Sequence, residues 1–217
     1  MKYLKVLLFG IFAGLAIGLG SLVYTVVSAY ATNQTGIIFA SALFSVGLIL
    51  VCTLGLQLYT GKVGVVFDDK YAIAENAINL PIMLVGNAIG AFSLGIICHF
   101  IFMNVPEVAD RILVISQGKT ESTKVFLQGL FCGALVYLAV YYFKNLKNYA
   151  SKIIGIICAV TLFVYCGFQH CIANMFYFGF ANKINAYTFL NLALVIIFNS
   201  LGPIVGVLFT KLVNNRK

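Results

Sequence analysis

Gly55-Leu56-Gln57-Leu58-Tyr59-Thr60-Gly61 and Gly167-Phe168-Gln169-His170-Cys171-Ile172-Ala173 are the two stretches that decide the fold, and they stand 112 residues apart. Each opens on a glycine followed at once by a polar cluster, inside a long apolar run. The same offset pairs Asn79-Leu80 with Asn191-Leu192, Asn87 with Asn199 and Gly90 with Gly202. Upstream, Gly10 and Gly14 pair with Gly129 and Gly133 at an offset of 119. Glycine and polar residues at mid-membrane depth predict interrupted helices. Open backbone there is tolerated only where it is buried in protein or lines a cavity.

The environment of these stretches follows from composition. Of 217 residues, 62% are hydrophobic and 9% charged, with a mean hydropathy of +1.02. A soluble domain carries about 25% charged residues, so this chain cannot cover a water-facing surface. That excludes a disordered chain, a disulfide-stapled secreted domain and nearly any soluble enzyme. Crossing a bilayer takes about 20 apolar residues. Residues 6–31, 37–59, 77–103, 125–143 and 189–213 qualify, and 153–180 makes a sixth span with Gly167, Gln169, His170 and Asn174 in its middle. The expectation is an all-α integral membrane protein of six helices joined by short loops. It forms one channel domain, with repeat one over about 6–103 and repeat two over about 125–213. Lys2 and Lys5 before an apolar run resemble a signal peptide, but the run of 22 residues from Val6 to Val27 exceeds the roughly 7–15 of a signal core. It is read as the first membrane helix.

Charge sets the orientation. The net charge is +8. Lys2, Lys5, Lys62, Lys70, Lys144, Lys147, Lys152, Lys211, Arg216 and Lys217 fall on one side; Arg111, Lys119, Lys124 and Lys183 fall on the other. Ten against four places both termini in the cytoplasm. No basic stripe with interleaved aromatics is present, so no nucleic-acid partner is expected. With three helices per half, the second half inserts upside down. Inverted repeats mark transporters and channels, with the functional site near the midplane, and half-helices starting at the breaks would aim their dipoles at an anion. Gly10/Gly14, Gly86/Gly90 and Gly202/Gly206 are read as close-packing positions.

The six cysteines all lie in apolar runs and are read as small hydrophobes. Cys166, His170 and Cys171 are plausible ligands without a partner cluster, so no metal and no cofactor is expected. Tyr137, Tyr141 and Tyr142 are read as interfacial anchors, and Phe176, Tyr177, Phe178 and Phe180 as packing. His170 is the ionisable side chain deep within the spans, a functional position by default; His99, near a helix end, is read as structural.

Gly55 to Gly61 resembles the pattern G-x-[acid]-L-F-T-[small], and Gly167 to Met175 resembles G-F-E-H-x-x-A-N-M. Together with the third- and sixth-helix glycines and asparagines, this is similar to the formate–nitrite transporter family, which includes hydrosulfide channels. The resemblance implies an aquaporin-like protomer with helices two and five broken, a pore in each protomer and five protomers in a ring in the cell membrane. It implies a small monovalent anion as substrate, with constrictions at Phe44 and Leu58 on the cytoplasmic side and at Phe163 on the outer side. His170 would lie between them with Thr60 as its partner, and Asn174 would help hold the second break. A vestibule lysine is implied before helix four; Lys119 is nearest and Lys124 the other candidate. The chain departs from the family at Gln57 and Gln169, where an acid is usual, and at Gly133, where Asn is usual. Two rival readings are an aquaporin-like pore for water or small neutral solutes, which lacks the paired Asn-Pro-Ala boxes, and a membrane redox or metal enzyme.

Overall fold

The structure, a computed structural model, describes residues 1–64 and 73–214. Lys70, Arg216 and Lys217, counted above for orientation, lie outside the described residues. The described residues form helices α1 (Lys2–Ala29), α2 (Gln34–Leu43), α3 (Ser45–Thr53), α4 (Tyr59–Lys62), α5 (Ile73–Phe102), α6 (Pro106–Thr120), α7 (Val125–Asn145), α8 (Tyr149–Tyr165), α9 (Cys171–Phe180) and α10 (Ala186–Asn214). Five spans are long and apolar enough to cross a membrane: α1, Gln34–Thr53 (α2 running into α3), Ile78–Phe102 of α5, α7, and Ala186–Val213 of α10. The shorter apolar helices α8 and α9 occupy the sixth predicted span.

The chain turns out of helix after Thr53 in the first half and after Tyr165 in the second. Gly55 at φ +65° and Gly167 at φ +71° take the left-handed conformation at these points. Only glycine adopts it readily, because a Cβ there crowds the following carbonyl. This is why a glycine precedes each polar cluster.

Helix α1 packs tightly on α5, and α7 on α10. Small residues make the approach. A Cβ at Gly14 would strike the Asn87 carbonyl, and one at Gly133 the Asn199 carbonyl; Gly90 and Gly202 similarly abut the backbones of α1 and α7. An asparagine at position 133 would therefore displace α10.

Two expectations are corrected. The link between α5 and α7 is not a short loop, because it contains the 15-residue helix α6. Its low apolar content hides it from a hydropathy scan, but Pro106 at its start and Glu107 in its first turn are helix-initiating signals. Tyr137 is not an interfacial anchor. It is 3% exposed and fills the space that Gly64 and Gly206 leave open. Phe176, Phe178 and Phe180 are buried, consistent with packing, whereas Tyr177, also buried, lines the cavity beside His170.

Candidate functional site

Two loops meet at the centre. The first, between α3 and α4, carries Gln57 and Leu58; the second, between α8 and α9, carries Phe168, Gln169 and His170. Each is tied down by an asparagine of the long helix that closes its half. Asn87 of α5 accepts from the Tyr59 N–H at 2.8 Å and donates to the carbonyls of Gly10 and Gln57, each at 2.8 Å. Asn199 of α10 accepts from the Cys171 N–H and donates to the carbonyls of Gly129 and Gln169, each at 2.9 Å. The partners correspond one for one at offsets of 112 and 119. The Gln57 N–H donates to the Phe9 carbonyl and the Gln169 N–H to the Gln128 carbonyl, again matched. Backbone groups freed by a helix interruption have no water to pair with in a bilayer, and these side chains supply the pairing.

His170 caps α9. Its Nδ1 accepts from the Ala173 N–H at 3.3 Å, so in the neutral ring the proton sits on Nε2. That Nε2 is 2.8 Å from Thr60 Oγ1 of α4, so Nε2–H donates to the hydroxyl and joins the two loops. The ring is 3% exposed and stacks on Phe163 with centroids 6.1 Å apart. Phe163 in turn meets Phe44 edge to face at 5.7 Å.

A cavity of about 280 Å³ opens above this cluster, lined by His170, Phe44, Phe163, Asn174, Lys119 and Arg111, among others. Phe44 therefore shares a cavity with Phe163, whereas Leu58 lines a separate cavity of about 180 Å³. Lys119 is the lysine in the first cavity. Its Nζ donates to the carbonyls of Gly167 and Phe168, both at 3.3 Å. Burial pushes its ammonium down to about 8 from an ordinary 10.5, with no described carboxylate paired to it. Lys124 caps α7 and is exposed.

Gln169 is fully buried and saturated. Its Oε1 accepts from Asn174 at 2.8 Å and Asn191 at 2.9 Å; its Nε2 donates to Gln128 Oε1 at 2.9 Å and the Lys119 carbonyl at 3.3 Å. Asn191 also donates to the Lys119 carbonyl at 2.8 Å, so the amide cluster fixes the end of α6 against the second loop. Gln57, by contrast, contributes its backbone.

Several contributors lie outside the predicted set. Asn87, Asn199 and Asn191 are visible in the sequence as repeat matches without an assigned role. Gln128 and Arg111 give no motif signal. Arg111 is held by Ser28 Oγ at 2.8 Å and the Tyr24 hydroxyl at 3.1 Å, which aims a second cation at the cavity. The half-helix dipole argument is narrowed by the geometry. The Cys171 and Ala173 N–H groups at the start of α9 are already engaged by Asn199 and His170. The His99 ring donates from Nδ1 to the Phe180 carbonyl at 2.9 Å. Among the described residues, no three His, Cys, Asp or Glu side chains gather in a metal-holding group.

The family model for formate/nitrite transporters matches residues 1–215. The uncharacterized transporter YrhG of Bacillus subtilis is 33% identical over 183 residues, covering 79% of this chain and 69% of that protein. The formate channel FocB of Escherichia coli is 28% identical over 196 residues, covering 84% of this chain and 68% of that protein. Among solved structures, a pentameric formate channel with formate bound superposes with a TM-score of 0.79 at 28% identity, covering 97% of this chain and 95% of that one.

Proposed function

The chain belongs to the formate/nitrite transporter family, and from that premise we propose that it is a membrane channel for small monovalent anions such as formate, nitrite or hydrosulfide, with His170 at the centre of its pore. Its relatives are channels and transporters rather than enzymes. The fold is read as two inverted three-helix halves, aquaporin-like, with the second helix of each half interrupted. The matched hydrogen bonds of Asn87 and Asn199 support this reading. Both termini are assigned to the cytoplasm from the lysine bias, in the cell membrane. A homopentamer is supported by the likeness to a pentameric channel.

The observation that carries the pore assignment is the Thr60–His170 bond of 2.8 Å, buried between two cavities that open to opposite mouths. An anion is drawn into the first cavity by Lys119 and Arg111. It then passes Phe44 and Phe163, where an unpaired charge is costly to bury. The Nε2–H of the neutral imidazole is engaged by Thr60 Oγ1, so the donor this pair can turn toward an anion is the Thr60 hydroxyl hydrogen. Releasing a proton from this ring requires a second proton on Nδ1 first, at the cost of the Ala173 bond. The proton that moves with the anion is therefore assigned to hydronium entering the first cavity from solution: the anion takes its proton there, a water molecule is left behind, and the neutral acid crosses past Leu58.

The test is flux into proteoliposomes loaded with a pH dye, challenged with formate, nitrite, hydrosulfide and glycerol, for wild type, His170→Ala and Thr60→Val. The expected result is a rapid internal pH change with an anion, reduced at least tenfold in His170→Ala. Swelling with glycerol and no response to any anion would overturn the assignment in favour of a neutral-solute pore.

A further inference from the structure

The mouth opposite α6 holds a charge cluster that the pore mechanism leaves unused. Lys62 at the end of α4, Lys144 in the last turn of α7 and Lys152 near the start of α8 line one cavity of about 180 Å³, whose inner wall includes Leu58. Lys62 is half-buried, and the charge of Lys144 bears on it. Both act on the Cys52 thiol in the same wall. The Lys152 ammonium is held over the Phe143 ring, 5.2 Å from its centroid.

Three features make this more than a solvated basic rim. The carboxylates whose side chains are described are Glu107, Asp110 and Glu121, all on or at the end of α6 at the other mouth. No described acid therefore offsets the three lysines. Lys152 stands near the N-terminus of a 17-residue helix, where the dipole disfavours a cation. Lys62 also occupies the position 112 residues before Asn174. In the second half that position is a neutral amide, bonded to Gln169 and Asn191. In the first half it is a cation that makes no described hydrogen bond or ion pair.

We propose that this cavity is a binding site for a dianionic phosphate group, either inorganic phosphate or a phosphate monoester headgroup. A monovalent anion offsets one of the three charges. A phosphate dianion offsets two and presents several oxygens, so that more than one ammonium group can donate to it. Seated against Leu58, it blocks the pore from this side. The site stands whichever anion the pore carries; only the blocking effect rests on the channel assignment.

The experiment is calorimetric titration of the full chain in phosphatidylcholine nanodiscs with sodium phosphate at constant ionic strength, with chloride as the monovalent comparison. Saturable phosphate binding is expected, weakened at least tenfold in Lys62→Gln and in Lys144→Gln. Binding retained in Lys62→Arg would show that the charge matters rather than the fold. Lys211→Gln, a lysine outside the cavity, should bind as wild type. Repetition in discs containing phosphatidic acid separates the two sources. Competition there identifies a lipid headgroup as occupant, and unchanged binding identifies the free ion. Absence of saturable binding, equal affinity for chloride, or wild-type affinity in both glutamine variants would overturn the proposal. These outcomes are read without any flux measurement, so failure of the channel assignment does not mimic them.

Discussion

Replacing Asn199 by alanine should loosen the second loop, and the size of the effect can be worked from the bonds it removes. Three are lost, all at 2.9 Å, leaving the Cys171 N–H and the Gln169 carbonyl unpaired in the protein interior, while the Gly129 carbonyl keeps its bond in the α7 ladder. Side-chain hydrogen bonds inside membrane proteins average about 0.6 kcal/mol, so three set a floor of about 2 kcal/mol. Orphaned buried groups cost about 1–3 kcal/mol each, so the two set a ceiling of about 6 kcal/mol. Partial relaxation of the loop brings the expectation to roughly 2–5 kcal/mol. Because Cys171 follows His170 and Gln169 precedes it, the same change should move the imidazole away from Thr60 and lower anion flux. Unfolding free energy in bicelles measures the first effect and proteoliposome flux the second. Asn87→Ala, with three bonds at 2.8 Å, should behave alike. If both variants unfold within about 0.5 kcal/mol of wild type, the range of an inert surface change, and carry anion at the wild-type rate, the asparagines do not hold the loops.

The remaining predictions concern charge and packing. Lys119 is protonated below about 8 and neutral above it, so anion capture from the α6 mouth should weaken as pH rises from about 7 to about 9. The apparent KM for nitrite, which stays ionised across that range, should rise in wild type and stay flat in Lys119→Arg. Arg111→Gln should raise the same KM, because it removes the cation that Ser28 and Tyr24 hold at the cavity wall. Gly133→Ala forces a methyl against the Asn199 backbone and should cost about 1–3 kcal/mol. Gly155→Ala meets nothing within 4 Å and should be neutral or slightly stabilising, as a comparison of melting temperatures would show.

Much of the architecture is legible in the sequence because the bilayer imposes strong rules. Long apolar runs mark the spans, and paired glycines mark the points where the chain leaves the helix. The amphipathic helix α6 escapes such a reading because it lies outside the apolar runs, and a search for membrane spans rewards only hydropathy. Tyr137 is misleading for a related reason. Its position near a helix end suggests the interface, but the space beside it is created by Gly64 and Gly206, distant in sequence. Phe44 is expected on the side of Leu58, yet it packs on Phe163, a contact between the α2–α3 junction and α8 that no local pattern encodes.

The two glutamines show where reading by repeat reaches its end. Gln57 and Gln169 are matched in sequence, and their backbone bonds are matched in space. Their side chains are not. Gln169 uses both its donors and its acceptor on Gln128, Asn174, Asn191 and the Lys119 carbonyl, an arrangement a carboxylate cannot reproduce because it has no hydrogen to give. With a neutral amide at this position, no described carboxylate stands beside the Lys119 charge. On the other half, the position matching Asn174 is Lys62, so the partner Gln169 finds there is replaced by a cation, and the cluster cannot close on itself. The backbone scaffold of the site is thus symmetric and readable from the repeat. Its electrostatics is asymmetric, with a saturated amide network at one mouth and three lysines without a described counter-charge at the other, and that difference arises from which side chains the fold brings together.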